Sequence, residues 1–235
     1  MFYDFYLNRP AGALAKAQAK RLIPALAKPA LKGLPNGLYV LEIGVGRGDF
    51  AQYFKSIGAN YTGIEANKIL CDRLNEQGFN VICYSVPPFP QEFEKESFEL
   101  VVMCHIFEHF MDYREALKVL SEIFSLLKPG GRMLLFHPDY LDWKTDYFDG
   151  DYSHSLILTR NRVDNLAQDA GFKVIHKDGF RSFFSGFKPL TWCLARFMNC
   201  FAGLLLCITG SRKFFKPKIA FNLNLLTVCE KINEN

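Results

Sequence analysis

Residues 40–50, VLEIGVGRGDF, are the stretch on which the fold turns. A short apolar and β-branched run reaches Glu42, and glycines then stand at every second position, Gly44, Gly46 and Gly48. Glycine at a strand-to-helix turn allows backbone conformations, and a closeness of ligand approach, that a Cβ would forbid. A ligand at such a turn also meets the N-terminus of the next helix. A dinucleotide fingerprint requires Gly-x-Gly-x-x-Gly, which would place its third glycine at position 49. This chain has Asp49 there, and its spacing is (Glu/Asp)-x-Gly-x-Gly-x-Gly.

Outward from this turn the pattern alternates. RGDFAQYFKSIG reads as a helix stopping at Gly58, YTGIEA as a second strand, NKILCDRLNEQG as a helix stopping at Gly78, and FNVICYS as a third strand. FELVVMC, DYREALKVLSEIFSLL and GRMLLFH continue as strand, long amphipathic helix and strand. Continuous apolar runs alternating with helices predict a parallel sheet covered on both faces. Beyond it, TRNRVDNLAQDAG reads as a helix, FKVIHKD as a strand and NLNLLTVCEKI as a final strand. The expectation is one α/β domain over residues 1–235: five parallel strands, extended by two C-terminal strands of which one is antiparallel. Residues 1–37 form a basic N-terminal segment, read over 11–34 as one or two short helices punctuated by Pro24 and Pro29. Two insertions interrupt the alternation, an aromatic and acidic one at 138–159 and a basic, apolar one at 181–221.

The composition suits one sizeable core: 235 residues, 49% hydrophobic and 22% charged, which excludes a disordered chain. The net charge of +4 hides a segregation. Residues 1–38 carry +5, residues 39–180 carry −7, and residues 181–229 carry seven cationic side chains and no acid. The seven cysteines form no CxxC pair and no zinc-spaced Cys/His cluster, so a reducing, cytoplasmic setting without disulfides or a metal is expected. The first residues lack the layout of a signal peptide. The apolar stretch Leu190–Gly210 is broken by Arg196 and Asn199, which argues against a spanning helix and leaves a membrane-surface helix open.

The glycine turn and four further stretches resemble the class I S-adenosylmethionine-dependent methyltransferases, in particular their broad small-molecule group. Glu65 in YTGIEAN stands where that family's acidic residue ends the second strand, seventeen residues after Gly48. The family uses it to hold both ribose hydroxyls, which a carboxylate can do by accepting from each. SFELVVMCHIFEHF is similar to the family's fourth-strand motif, LKPGGRMLLF to its turn into the fifth strand, and GDYSHSLILTRNRVDNLAQDAGF to a later motif. The resemblance implies S-adenosyl-L-methionine as cofactor, held by Glu42, Gly44, Gly46, Gly48 and Glu65, with Cys104 at the end of the fourth strand. The family's acidic residue after the third strand is missing from CYSVPPFP, which leaves Ser85 as the polar candidate for the adenine.

Methyl transfer rests on alignment, and a hydroxyl acceptor gains from a general base. His154, beside Asp151 as orienter, is the first candidate, and His105 after the fourth strand the second. Glu108 and His109 read as a helix-capping, packing pair. The insertion interleaves Tyr140, Trp143, Tyr147, Phe148 and Tyr152 with Asp139, Asp142, Asp146, Asp149 and Asp151, where acceptor lids occur in the family. Sugar rings or flat polar substrates suit such a surface; aromatics folded inward on a solvated loop are the alternative. The 181–218 stretch, with paired phenylalanines and a helix polar only along Arg196, Asn199 and Gly203, requires a covering: its own core, a second subunit, or an anionic membrane surface. Taken together these features predict O-methylation of a small-molecule or lipid-linked acceptor, saccharide or quinone-like, by a peripheral membrane enzyme. A non-catalytic binding subunit and an RNA methyltransferase are the other two classes, and a nucleic-acid partner fits the long apolar runs poorly.

Overall fold

A computed structural model describes residues 12–181, 184–185 and 189–232. Residues 1–11 of the basic N-terminal segment, and Phe183 and Lys188 of the basic stretch, lie outside the described residues. The strands are β1 (Tyr39–Ile43), β2 (Asn60–Glu65), β3 (Val81–Cys83), β4 (Phe98–Cys104), β5 (Leu127–Pro138), β6 (Phe172–Arg181), β7 (Phe184–Ser185) and β8 (Asn224–Lys231). They form one sheet in the order β3-β2-β1-β4-β5-β8-β6-β7. β1 to β5 are mutually parallel. β8 inserts antiparallel between β5 and β6, so β6 runs with the first five. This is the expected layout of five parallel strands and two more with one antiparallel. The two-residue β7, an edge partner of Phe180 and Arg181, is an addition that the sequence did not suggest.

The continuous apolar strands are buried on both faces, and their alternation divides them between two cores. In β4, Val101 and Met103 face one core, Leu100 and Val102 the other; in β5, Met133 and Leu135 separate in the same way from Leu134 and Phe136. The first face is covered by α4 (Tyr113–Leu126) and α7 (Arg160–Asp169), through Ala116, Val119, Leu120 and Ile123 and through Val163, Leu166 and Ala167. Each fully buried Val, Leu or Ile there stabilises the fold by about 1.5–3 kcal/mol. The second face is covered by α1 (Ala13–Leu31) and α2 (Asp49–Ser56), through Ile23, Leu26, Ala27, Ala30, Phe50 and Phe54. α1 is one continuous helix, not two, with Pro24 and Pro29 inside it. Burial of its apolar stripe on the sheet keeps it helical through positions where proline removes a backbone bond. α3 (Lys68–Glu76) packs Cys71 and Leu74 beneath the β1–α2 turn against Val45 and Val81.

The insertion at 138–159 folds into α5 (Tyr140–Trp143) and α6 (Asp146–Gly150). Tyr147 is fully buried, with edge-on contacts to Tyr140 and Phe148, so part of the aromatic set turns inward. The basic insertion forms α8 (Pro189–Thr209) and α9 (Phe215–Ala220). The two insertions are joined by charge. Arg181 grips Asp142 with two hydrogen bonds of 2.8 and 2.7 Å, Arg196 of α8 reaches the same carboxylate at 3.2 Å, Lys218 of α9 meets Asp146 at 2.7 Å, and Arg212 meets Asp149 at 3.1 Å. Burial alone would raise the Asp142 carboxyl, but Arg181 and the Leu223 N–H bring it below the usual range. The acids of the middle thus neutralise a good part of the C-terminal basic stretch.

Candidate active site

The parallel strands end together at one rim, and the loops there carry the chemistry. β1 leads into the turn 44–48, where Gly44 N–H donates to the Ile64 carbonyl at 2.8 Å. A Cβ on Gly44 would lie 2.0 Å from Ile106 Cδ1, so this glycine lets the loop after β4 close on the turn. Gly46 has φ +57°, and a Cβ built on it meets nothing within 4 Å among the described residues. Among these residues its Cα faces open space at the rim, as a cradle for a ligand would. Gly48 stands at the N-cap of α2.

Two carboxylates flank the turn. Glu65 ends β2, nearly buried, and accepts the Gly46 N–H at 2.9 Å and the Asn67 N–H at 2.8 Å, one on each oxygen. Each oxygen keeps a second lone pair, which is what two ribose hydroxyls require. Glu42 is 2% exposed and accepts the Tyr61 hydroxyl at 2.5 Å. Burial pushes its carboxyl up to about 8, against the Tyr61 hydrogen bond, and the neighbouring Glu65 and Asp49 carboxylates add to the rise. A cationic ligand would draw that proton off. Cys104 lies at the β4 end, its thiol pushed well up by burial and by Glu42. Ser85 is exposed beyond β3.

A second cluster adjoins the cradle, because Ile106 packs on Gly44 between two of its members. His105 has φ +56°, an uncommon conformation for a side chain other than glycine, which cost concentrates at functional sites. Its Nδ1 lies 3.0 Å from Oε1 of the fully buried Glu108, and its ring meets Phe136 edge-on. Burial alone would raise the Glu108 carboxyl, but the His105 bond and the nearby His109 lower it, so it is ionised. Glu108 and His109 do not cap the next helix as expected. Asp112 does, accepting from the Arg114 and Glu115 N–H groups, and the pair sits on a short 3-10 turn, Phe107–His109.

The insertion delivers His154 to this cluster. Its Nδ1 lies 2.6 Å from the Tyr147 carbonyl, which can only accept, and its Nε2 lies 4.0 Å from Glu108 Oε1. Burial keeps the ring neutral by lowering its pKa. The orienter of His154 is therefore the Tyr147 carbonyl and not the Asp151 carboxylate that the sequence suggested. Asp151 Oδ1 instead accepts the Ser153 hydroxyl at 2.7 Å, and Ser153 Oγ lies 2.8 Å from His109 Nδ1. The carboxylate–imidazole pair that forms is Glu108–His105. Glu108, which the sequence suggests only as a capping and packing partner of His109, is the carboxylate of this pair; its three-residue spacing to His105 is the signal that the sequence carries.

The strand order and the acidic-glycine cradle define the class I S-adenosylmethionine-dependent methyltransferase fold. Residues 14–177 match the family model described as a methyltransferase domain, and the chain belongs to that family, whose cofactor is S-adenosyl-L-methionine. The cradle fits that group by its open Gly46 and its two carboxylates. A methyltransferase structure from Archaeoglobus fulgidus superposes with a TM-score of 0.67 at 17% identity, covering 98% of this chain and 100% of that one; the likeness is one of fold. A ubiquinone biosynthesis O-methyltransferase of Bradyrhizobium is 30% identical over 103 residues, 43% of this chain and 40% of that protein. A tRNA (carboxymethyluridine(34)-5-O)-methyltransferase of Mus musculus is 26% identical over 124 residues, 51% of this chain and 18% of that protein. The chain thus spans less than half the length of these relatives, and their names point to different acceptors.

Proposed function

We propose that the protein transfers the methyl group of S-adenosylmethionine to an oxygen of an amphiphilic acceptor, a lipid-linked saccharide or quinone-like molecule met at a membrane surface. One observation carries the reading. The insertion that brings His154 to the site is bonded through Asp142 and Asp146 to α8 and α9, and α8 turns its large apolar side chains outward. Leu190 (81% exposed), Leu194, Phe197 (65%), Phe201, Leu204 and Ile208 (72%) alternate at steps of four and three, which is one stripe along the helix. The side that faces the protein is small or polar: Ala195, Asn199 and Ala202. Asn199 bonds the Lys218 carbonyl and the Asn222 side chain at 2.9 and 2.7 Å.

α8 has 21 residues and is apolar and long enough to cross a bilayer by length and composition, at about 31 Å. Its polar side is fixed to the rest of the protein, which favours lying in the interface with the apolar stripe down. The half-exposed Trp192 and the exposed Lys213 and Lys216 suit that depth.

When bound, S-adenosylmethionine supplies a methyl carbon activated by a positive sulfur. The protein's own part is to orient the acceptor and take its proton. His105 is the base the geometry favours: Nδ1 donates to ionised Glu108, leaving the Nε2 lone pair on a side chain that is 44% exposed. His154 spends Nδ1 on Tyr147 and turns Nε2 inward. His105→Ala is expected to lower kcat by about 10²–10⁴-fold with cofactor affinity kept. Incubation with methyl-labelled S-adenosylmethionine, a membrane lipid extract and total RNA tests the acceptor. Label is expected in an organic-extractable product bearing an O–CH3 group. Label in RNA, or no transfer, contradicts the proposal.

A further inference from the structure

We infer that Glu108, His109 and His154 bind one divalent transition-metal cation of the Zn²⁺, Co²⁺ or Ni²⁺ kind, with a coordination position left open toward the acceptor. One ligand atom from each of the three lies within 4.8 Å of the other two. Two come from the turn after β4 and the third from the insertion, 45 residues on in the chain, so no sequence spacing announces the group.

A second observation points independently to a ligand. Glu108 is 0% exposed, its Oε1 is taken up by His105, and its Oε2 is buried without a hydrogen-bond partner among the described residues. A buried carboxylate oxygen left unmatched destabilises the fold, and a cation beside it would remove that cost. The two imidazoles are arranged as metal-binding histidines usually are, with the other ring nitrogen held from behind. His154 Nδ1 donates to the Tyr147 carbonyl at 2.6 Å, which puts the lone pair on Nε2, the atom facing Glu108. His109 Nδ1 lies 2.8 Å from Ser153 Oγ, whose proton goes to Asp151 at 2.7 Å, so the hydroxyl accepts from the ring. The His109 and His154 rings stand edge to face, 5.0 Å between centroids.

Two imidazoles and one carboxylate select a borderline cation over Ca²⁺ or Mg²⁺. Metal–donor bonds of about 2.0–2.2 Å place tetrahedral donors about 3.4 Å apart, so binding would draw the cluster together and lock the insertion onto the β4 turn. Three protein ligands leave one or more positions for water or an acceptor oxygen, and the half-buried histidines leave a side open. His105 is not among the ligands and keeps its bond to Oε1. The cation site goes beyond the proposed reaction and holds whichever acceptor is methylated.

The test is titration of chelator-treated full-length protein with Co²⁺, read by visible absorption and calorimetry. The expected result is one site per chain with d–d bands and no thiolate charge-transfer band, which separates it from binding at the exposed Cys83, Cys193, Cys200 and Cys207. Ser153→Ala should weaken it by about 10–100-fold, and His109→Gln by more. S-adenosylhomocysteine affinity, measured on the same samples, should be unchanged in both variants, which reports their folding separately from the cation. No stoichiometric site, a thiolate band, or equal affinity in wild type, Ser153→Ala and His109→Gln would each overturn the proposal.

Discussion

α4 and α8 each have one apolar side, and they turn it in opposite directions. α4 puts Ala116, Val119, Leu120 and Ile123 on the sheet and leaves Arg114, Lys118 and Ser121 outside. α8 puts Ala195, Asn199 and Ala202 inside and leaves leucines and phenylalanines outside. An amphipathic helix docks by whichever side gains more, and hydrophobic burial normally decides. For α8 the inward side is chosen by hydrogen bonds and ion pairs: Asn199 to α9 and Asn222, Arg196 to Asp142. This helix is held by polar bonds, and its apolar side stays available. An exposed contiguous apolar patch of this kind marks an interaction surface.

The largest effect should come from the joint between the two regions. Arg181 is 3% exposed and bidentate on Asp142, which also accepts the Leu223 N–H. Arg181→Met leaves the carboxylate buried with weaker partners and should cost about 3–5 kcal/mol in chemical denaturation. If the loss is under 1 kcal/mol, the ion pairs do not hold α8. Next, Leu120→Ala should cost about 2–5 kcal/mol, whereas Leu204→Ala should stay within about 0.5 kcal/mol in detergent-free buffer. Equal losses would mean that α8 has its own covering in solution.

A smaller effect belongs to the cradle. Glu42 is mostly protonated below pH 8 in the free protein, and a bound sulfonium favours its carboxylate. Binding then expels a proton, so affinity for S-adenosylmethionine should rise with pH, by at most about tenfold per unit, and level off above 8. Tyr61, Glu65, Asp49 and Cys104 surround the group, and Glu42→Gln should flatten this pH dependence. The stability sign is opposite: a raised carboxyl pKa gives stability that is present at low pH and lost as pH climbs from 4.5 toward 8, so Glu42→Gln should raise the Tm at neutral pH.

Much of this was legible in the sequence because it is local. Strand runs and glycine turns are fixed by neighbours in the chain, so the sheet and the Glu42–Gly48 turn follow from pattern and spacing, and Glu65 from the resemblance to the methyltransferase family. The polar stripe of Arg196, Asn199 and Gly203 was legible too, but not that it faces inward, since its partners Asp142, Asn222 and Lys218 come from other segments. The Asp151–His154 pairing was misjudged because adjacency in sequence says little about a turn, in which the Tyr147 carbonyl took the ring. Glu108 read as packing because its neighbours, His154 above all, arrive from the insertion.

Flotation with vesicles tests the central claim, that α8 presents its apolar stripe to a bilayer. Wild type should float with anionic vesicles and largely remain bound as salt rises, because Arg181, Arg196, Arg212 and Lys218 are already paired within the protein and apolar contact dominates. Phe197→Ser/Phe201→Ser should stay in the aqueous layer with an unchanged melting curve. A wild-type chain that remains aqueous, as a monomer or as a dimer paired through α8, would contradict the account.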